Sequence, residues 1–138
     1  MRTDVAIIGG GAIGAAAAYF LRLLDPAADV CVIERDLAYE LASTPRASGG
    51  VRRLFSLPEN IELSQFSIDF FGGFPAAMAV AGQPAEIGFR RDGYLFIVPP
   101  AARAVLRRNF DTQQRLGCAV TWLEPAELKR QVPVHERR

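Results

Sequence analysis

The sequence predicts an α/β fold that opens on a parallel β-α-β unit and passes into an α+β region with antiparallel strands. Three observations carry this. A short apolar run with β-branched residues at 4–8 (DVAII) stops at three consecutive glycines; an Ala-rich, helix-forming stretch follows; a second apolar run stands at 30–34 (VCVIE). Strand, helix and strand at that spacing make one right-handed crossover, which pairs the two strands in parallel.

Each element has a local reason. Residues 4–8 form a continuous apolar run, the pattern of a strand buried on both faces of a parallel sheet. The Ala-rich segment at 12–24 makes a helix of about three turns, and Asp25-Pro26 stops it because proline disfavours helical geometry in the residue before it. Residues 37–50 lack periodicity and collect Ser43, Thr44, Pro45, Ser48, Gly49 and Gly50, which predicts a loop holding at most one turn of helix. Ser56 and Glu59, three apart with Pro58 between them, predict a capping box at the start of the next helix. Leu63, Phe66 and Phe70 share one face of that helix, with Ile61 and Ile68 alongside.

Residues 72–84 are rich in Gly, Ala and Pro and carry no charge, which marks the best domain boundary in the chain. Beyond it, Asp92-Gly93 suits the positive φ angles of a tight turn, so 89–91 and 94–98 read as an antiparallel hairpin. Val105, Leu106, Phe110 and Leu116 predict an amphipathic helix closed by Gly117. Residues 119–123 return to strand, and Glu124-Pro125 begins a last helical turn.

Composition excludes several functions. Sixteen basic and fifteen acidic side chains nearly cancel, so no strong field gathers nucleic acid or anionic lipid. Lys129 is the only lysine, which removes most lysine chemistry. Cys31 and Cys118 each lie in an apolar stretch and read as small packing residues in a reducing, cytoplasmic setting. Neither a secretory leader nor a membrane span fits the glycine-broken N-terminus. His135 stands among charges near the end and reads as a solvated tail residue, so no metal site is expected.

The chemistry concentrates in Gly9, Gly11 and Gly14, the GxGxxG pattern (GGGAIG) between a strand and a helix. Gly9 permits the turn, Gly11 lets a diphosphate approach the backbone, and Gly14 lets helix and strand pack closely. The helix N-terminus supplies N–H groups and partial positive charge. Glu34 ends the second strand at the distance from which a carboxylate reaches the adenosine ribose hydroxyls. Its charge opposes the extra 2′-phosphate of NADP and leaves NAD and FAD open. Arg35 reads either as an adenine-side contact or as a surface charge.

The opening DVAIIGGGAIG, the VCVIER strand end, the stretch 48–67 (SGGVRRLFSLPENIELSQFS) and GFRRDGYLFIV together resemble the FAD-dependent oxidoreductases of the D-amino-acid oxidase and sarcosine oxidase type. Within that group they are most similar to the FAD-dependent oxidoreductase domain-containing proteins. The resemblance covers most of the chain, and 48–67 is its most specific part. It implies a Rossmann-like FAD-binding portion over residues 1–84 and the start of a substrate domain over 85–138. It implies FAD as cofactor, and oxidation of an amino acid or secondary amine by hydride transfer to flavin N5. Gly9, Gly11, Ala12, Ile13, Gly14, Glu34 and Arg35 would hold the nucleotide end of FAD. Ser43, Ser48, Gly49, Gly50 and Arg52 match the loop beside the flavin ring, where Arg52 is the candidate for stabilising negative charge. Adjacent Arg53 reads equally as a surface residue. Three residues past Arg52, where some amine oxidases place an Arg that grips a substrate carboxylate, this chain has Phe55.

Family members continue well beyond 138 residues, so the chain is expected to be an N-terminal portion that is not competent in catalysis alone. Two other readings stand beside the flavin enzyme: a nicotinamide-dependent dehydrogenase, and a protein that keeps the fold for assembly or interaction. The sequence names neither the amine nor the electron acceptor.

Overall fold

The computed structural model describes residues 2–131; His135 and the Val132-Pro133 ending lie outside them. The chain divides into two compact units, Met1–Gly50 and Val51–Arg138.

In the first unit, β1 (Val5–Ile8) and β2 (Val30–Ile33) form a two-stranded parallel sheet in the register Val5 to Val30 and Ile8 to Ile33. The crossover between them is α1 (Ala12–Leu24), which packs on the sheet. The predicted β-α-β unit is therefore present at the residues its pattern marks. Burial of both sheet faces is not. Val5 and Ile7 are half-buried and Ala6 and Ile8 exposed, the alternation of a sheet covered on one side. Ile8 and Ile33, paired in register on the opposite face, stay 79% and 53% exposed. The entry to the sheet is tied by Asp4, whose carboxylate accepts the Asp29 N–H while the Asp4 N–H donates to the Asp29 carbonyl. Arg22 in the last turn of α1 donates to the Pro26 and Ala28 carbonyls, which fixes the turn where Asp25-Pro26 ends the helix. A single helical turn, α2 (Ser43–Arg46), interrupts the loop that follows.

The second unit is built on α3 (Pro58–Ala77) and α4 (Arg103–Arg115), which pack against each other. Ile61 is fully buried, with Ile68, Gln113 and Cys118 nearly so. Ile61 and Ile68, one step of seven apart on α3, form the buried seam; Leu63 and Phe66, expected to lead that face, are 66% and 57% exposed. Between the two isoleucines, Gln65 donates to the Leu116 carbonyl and reaches Cys118 Sγ. Gly117, at φ 78, closes α4 as expected.

Four features of the second unit go beyond the sequence reading or differ from it. No capping box forms: Leu57 is the N-cap of α3, without a side-chain bond, and Pro58 occupies the first turn. Proline needs no N–H there, so the helix starts two residues beyond Ser56. Second, α3 runs through Gly72, Gly73 and Pro75, because packing overrides weak helix propensity. Phe70 meets Phe74 edge to face and Phe71 meets Phe89, while Arg91 crosses Gly72 and pairs with Asp69 at 3.8 Å. Third, residues 89–98 carry no hydrogen-bonded ladder, although Gly93 does take a positive φ of 83. An isolated two-stranded hairpin is marginal in water, and Tyr94, Leu95, Phe96 and Ile97 remain exposed. The reversal with reciprocal backbone bonds lies instead at Val80 and Gln83, around Ala81 and Gly82, both at positive φ. Fourth, 119–123 is not a strand: Trp122 turns onto Phe110 of α4 with ring centroids 5.6 Å apart. The chain then enters α5 (Pro125–Gln131), the final helical turn the sequence predicts.

Candidate functional site

The glycine turn between β1 and α1 takes its shape from contacts that exclude side chains. Gly9 sits at φ 97, a left-handed conformation that favours glycine, and its N–H donates 2.8 Å to the Ile33 carbonyl, extending the sheet by one bond. At Gly14 a Cβ would overlap the Gly9 carbonyl oxygen and lie 3.2 Å from Ile7 Cγ2. The helix therefore rests directly on the end of the strand.

Gly11 differs: nothing stands within 4 Å of the position a Cβ would take. It is the N-cap of α1, with no side-chain cap and no acidic residue in the first turn. The first-turn N–H groups, among them those of Ala12, Ile13 and Gly14, have no acceptor within the helix. They converge with the positive end of the helix dipole beside the open flank of Gly11, an arrangement suited to a diphosphate. Ile13 is 89% exposed beside them.

Glu34 closes the other side. Its Oε2 accepts the Gly10 N–H at 2.6 Å and its Oε1 accepts the Asp36 N–H at 2.9 Å. These bonds, the Asp36 one foremost, hold its carboxyl below the ordinary carboxylate value of 4.5, with nearby Arg35 adding to the effect and burial opposing it. An ionised carboxylate offers about four lone-pair positions. Two are used by the backbone, which leaves room for two hydroxyl donors. Sequence spacing places Glu34 near the glycines; the Gly10 and Asp36 partners are not signalled by it. Tyr39, at φ 55, adds a further contact, its hydroxyl lying over Gly10.

The remaining candidates are not gathered there by any bond. Ser43 opens α2; Ser48, Gly49 and Gly50 follow as an exposed loop with Gly49 at φ 71. Arg52 belongs to the second unit, where its guanidinium lies 5.0 Å from the Phe55 ring centre and 5.7 Å from that of Phe96. Among the described residues no group of three or more His, Cys, Asp or Glu is placed to hold a metal, and no helix is long and apolar enough to cross a membrane.

Comparison with known proteins assigns the chain to a family. The family described as FAD dependent oxidoreductase (DAO) matches residues 4–138. The chain is 38% identical over 136 residues to FAD-dependent oxidoreductase domain-containing protein 1 of Bos taurus, covering 96% of this chain and 28% of that protein. It is 37% identical to the Xenopus laevis protein of the same name, over 96% of this chain and 27% of the relative. A Drosophila melanogaster homolog is 36% identical over 117 residues, 83% of this chain and 22% of the relative. The chain thus spans less than a third of these relatives' length. No solved structure matches it. The family's cofactor is FAD, and the chain belongs to this family of FAD-dependent oxidoreductases.

Proposed function

We propose that this chain is the FAD-binding N-terminal portion of an oxidoreductase that oxidises the carbon–nitrogen bond of an amino acid or secondary amine. The observation that carries the cofactor part is the pairing of an open, uncapped helix start at Gly11 with an ionised Glu34 clasped to Gly10. In this reading the N–H groups at the start of α1 bind the diphosphate, with Gly9, Gly11, Ala12, Ile13 and Gly14 forming the turn. Glu34 accepts the ribose hydroxyls, and Arg35 lies toward the adenine. Ser43, Ser48, Gly49, Gly50 and Arg52 serve the flavin end, where Arg52 supplies fixed positive charge. When bound, FAD supplies hydride acceptance at N5.

Residues 1–84 would form the FAD-binding portion and 85–138 the beginning of the substrate domain. The 89–98 segment would become an antiparallel hairpin once further strands complete its sheet. The substrate is a small amine or amino acid, and the two unpaired cysteines support a reducing, cytoplasmic setting.

The test is direct. The purified 138-residue chain, mixed with FAD and passed through a desalting column, should retain visible flavin absorption, and NAD should not displace it. Colourless protein after that treatment overturns the reading of this chain as an FAD binder. Turnover of secondary amines then tests the chemistry. Retained flavin without turnover on any amine would leave a cofactor-holding portion that does not catalyse by itself.

A further inference from the structure

Two residues that carry a side chain take a positive φ among the described residues, Ala81 and Tyr39. Ala81 stands beside Gly82 in the tight reversal between Val80 and Gln83, where the turn itself requires it. Tyr39 closes a turn of another kind. Its N–H donates 3.1 Å to the Asp36 carbonyl, and its own carbonyl accepts the Ala42 N–H at 3.1 Å. A left-handed conformation costs a tyrosine free energy that a glycine would not lose, and such strain persists where surrounding contacts over-determine it.

Those contacts lead back to Glu34. The Asp36 carboxylate accepts the Ala38 N–H at 3.0 Å with one oxygen and the Glu40 N–H at 2.9 Å with the other, which fixes the turn that carries Tyr39. The Asp36 N–H in turn donates 2.9 Å to Glu34 Oε1. From this turn the half-buried Tyr39 side chain reaches back to the glycines. Its hydroxyl lies 3.0 Å from where a Cβ on Gly10 would stand, with Glu34 Cβ 3.3 Å and Val32 Cγ1 3.5 Å from the same point. The flank of Gly10 is therefore closed, with Tyr39 and Glu34 sharing it, while that of Gly11 is open. Glu34 Oε2 accepts the Gly10 N–H on that closed side. A carboxylate bonded at both oxygens and packed beside a phenol keeps one orientation before any ligand arrives, which lowers the ordering cost of binding.

We propose that Tyr39 is a positioning residue for the ribose of the nucleotide: held against Gly10 by the Asp36 turn, it keeps the Glu34 carboxylate bonded to Gly10 with its remaining acceptor positions set for the ribose hydroxyls. The inference rests on the FAD-binding reading and deepens it by naming a residue that acts through Glu34. It also gives the strained backbone at Tyr39 a purpose.

The experiment titrates the whole chain calorimetrically with ADP and with 2′,3′-dideoxyadenosine diphosphate, which lacks both ribose hydroxyls. The native chain should prefer ADP. Tyr39→Gly suits the positive φ and removes the ring; it should weaken ADP about three- to tenfold, the scale of ordering one side chain on binding, and leave the dideoxy compound within about twofold. Tyr39→Phe keeps the ring and should stay within about twofold of the native chain on both ligands. Without nucleotide, the Gly10 amide should exchange with deuterium faster in Tyr39→Gly than in Tyr39→Phe, because its Glu34 acceptor is no longer held. Equal losses on ADP and the dideoxy compound, a loss in Tyr39→Phe as large as in Tyr39→Gly, or an unchanged Gly10 exchange rate each overturns the proposal. Failure of the cofactor reading looks different: a chain that binds no ADP defeats that reading and the proposal with it. One that keeps the same preference for ADP in Tyr39→Gly leaves the reading standing and overturns the proposal alone.

Discussion

The two units are stabilised in different ways. In Met1–Gly50 no described side chain is fully buried; order comes from the strand ladder, from glycine contacts at the β1–α1 turn, and from Glu34, Arg22 and Asp4 bonded to backbone. In Val51–Arg138 a small conventional core exists, with Ile61 sealed and Gln113 and Cys118 beside it. Backbone contacts made possible by the lack of a side chain tolerate no added atom, whereas a core seam loses stability in proportion to what is removed. The first unit should therefore respond to added atoms and the second to deleted ones.

The largest expected effect follows from adding one methyl to the turn. Gly14→Ala puts a Cβ into the Gly9 carbonyl, and because the obstacle is backbone the cost should reach the upper end of overpacking, about 3 kcal/mol or more. Flavin retention should be lost with it. Gly11→Ala is the counterpart, since a Cβ there meets nothing and φ is already −63. It should cost about 1 kcal/mol or less as an N-cap change yet weaken FAD by at least about tenfold, by filling the space a diphosphate needs. Circular dichroism melting and FAD titration on both variants separate fold from binding. FAD affinity preserved in Gly11→Ala would contradict the assignment of that open flank to the diphosphate.

Deletion in the second unit should be gentler. Ile61→Val removes one methylene from a fully buried side chain, worth about 1 kcal/mol, with FAD affinity per folded molecule unchanged. Chemical denaturation followed by Trp122 fluorescence measures it. A loss of FAD affinity without a loss of stability would show that the core of the second unit bears on cofactor binding.

The same contrast explains what was legible in the sequence. The β1–α1–β2 unit could be read because each decision is local: β-branched runs, glycines at the turn, alanines in the helix, Asp25-Pro26 at its end. Glu34 was legible by spacing, though its Gly10 and Asp36 partners depend on how the strand end curls. In the second unit, Ile61 and Ile68 rather than Leu63 and Phe66 became the seam because α4 chooses the face, and a periodicity that offers a wide apolar surface does not say which part the neighbour covers. The 89–98 hairpin has correct turn chemistry at Gly93 but lacks a ladder, since strands need partners that local pattern does not supply. Phe55 and Phe96 meet at Arg52 across a long stretch of sequence, and no pattern in either segment announces it. Family resemblance supplied FAD, which the glycines and Glu34 alone left undivided from NAD.

The smallest effects come from two carboxylates, one in each unit. Glu124 is held to about 2 by hydrogen bonds from Arg103, first, and from Trp122, against some opposition from burial. Glu34 is lowered by N–H donors of Asp36 and Gly10. Both sit below the ordinary 4.5, so each contributes stability that is present above 4.5 and is lost as pH falls through its folded value. Glu124 is 45% exposed, which screens its pairing and keeps the effect small. Between pH 4.5 and about 2 the melting temperature should fall less steeply in Glu124→Gln than in the native chain when followed by Trp122 fluorescence. Glu34→Gln should leave that Trp122 signal unaltered while flattening the acid titration of the Gly10 amide resonance. It should also weaken FAD at neutral pH, because an amide presents fewer acceptors to the ribose and opposes an N–H donor to the Gly10 N–H. Should Glu34→Gln alter the Trp122 transition as strongly as Glu124→Gln does, the acid responses of the two units are coupled and their separate stabilisation fails as an account of the chain.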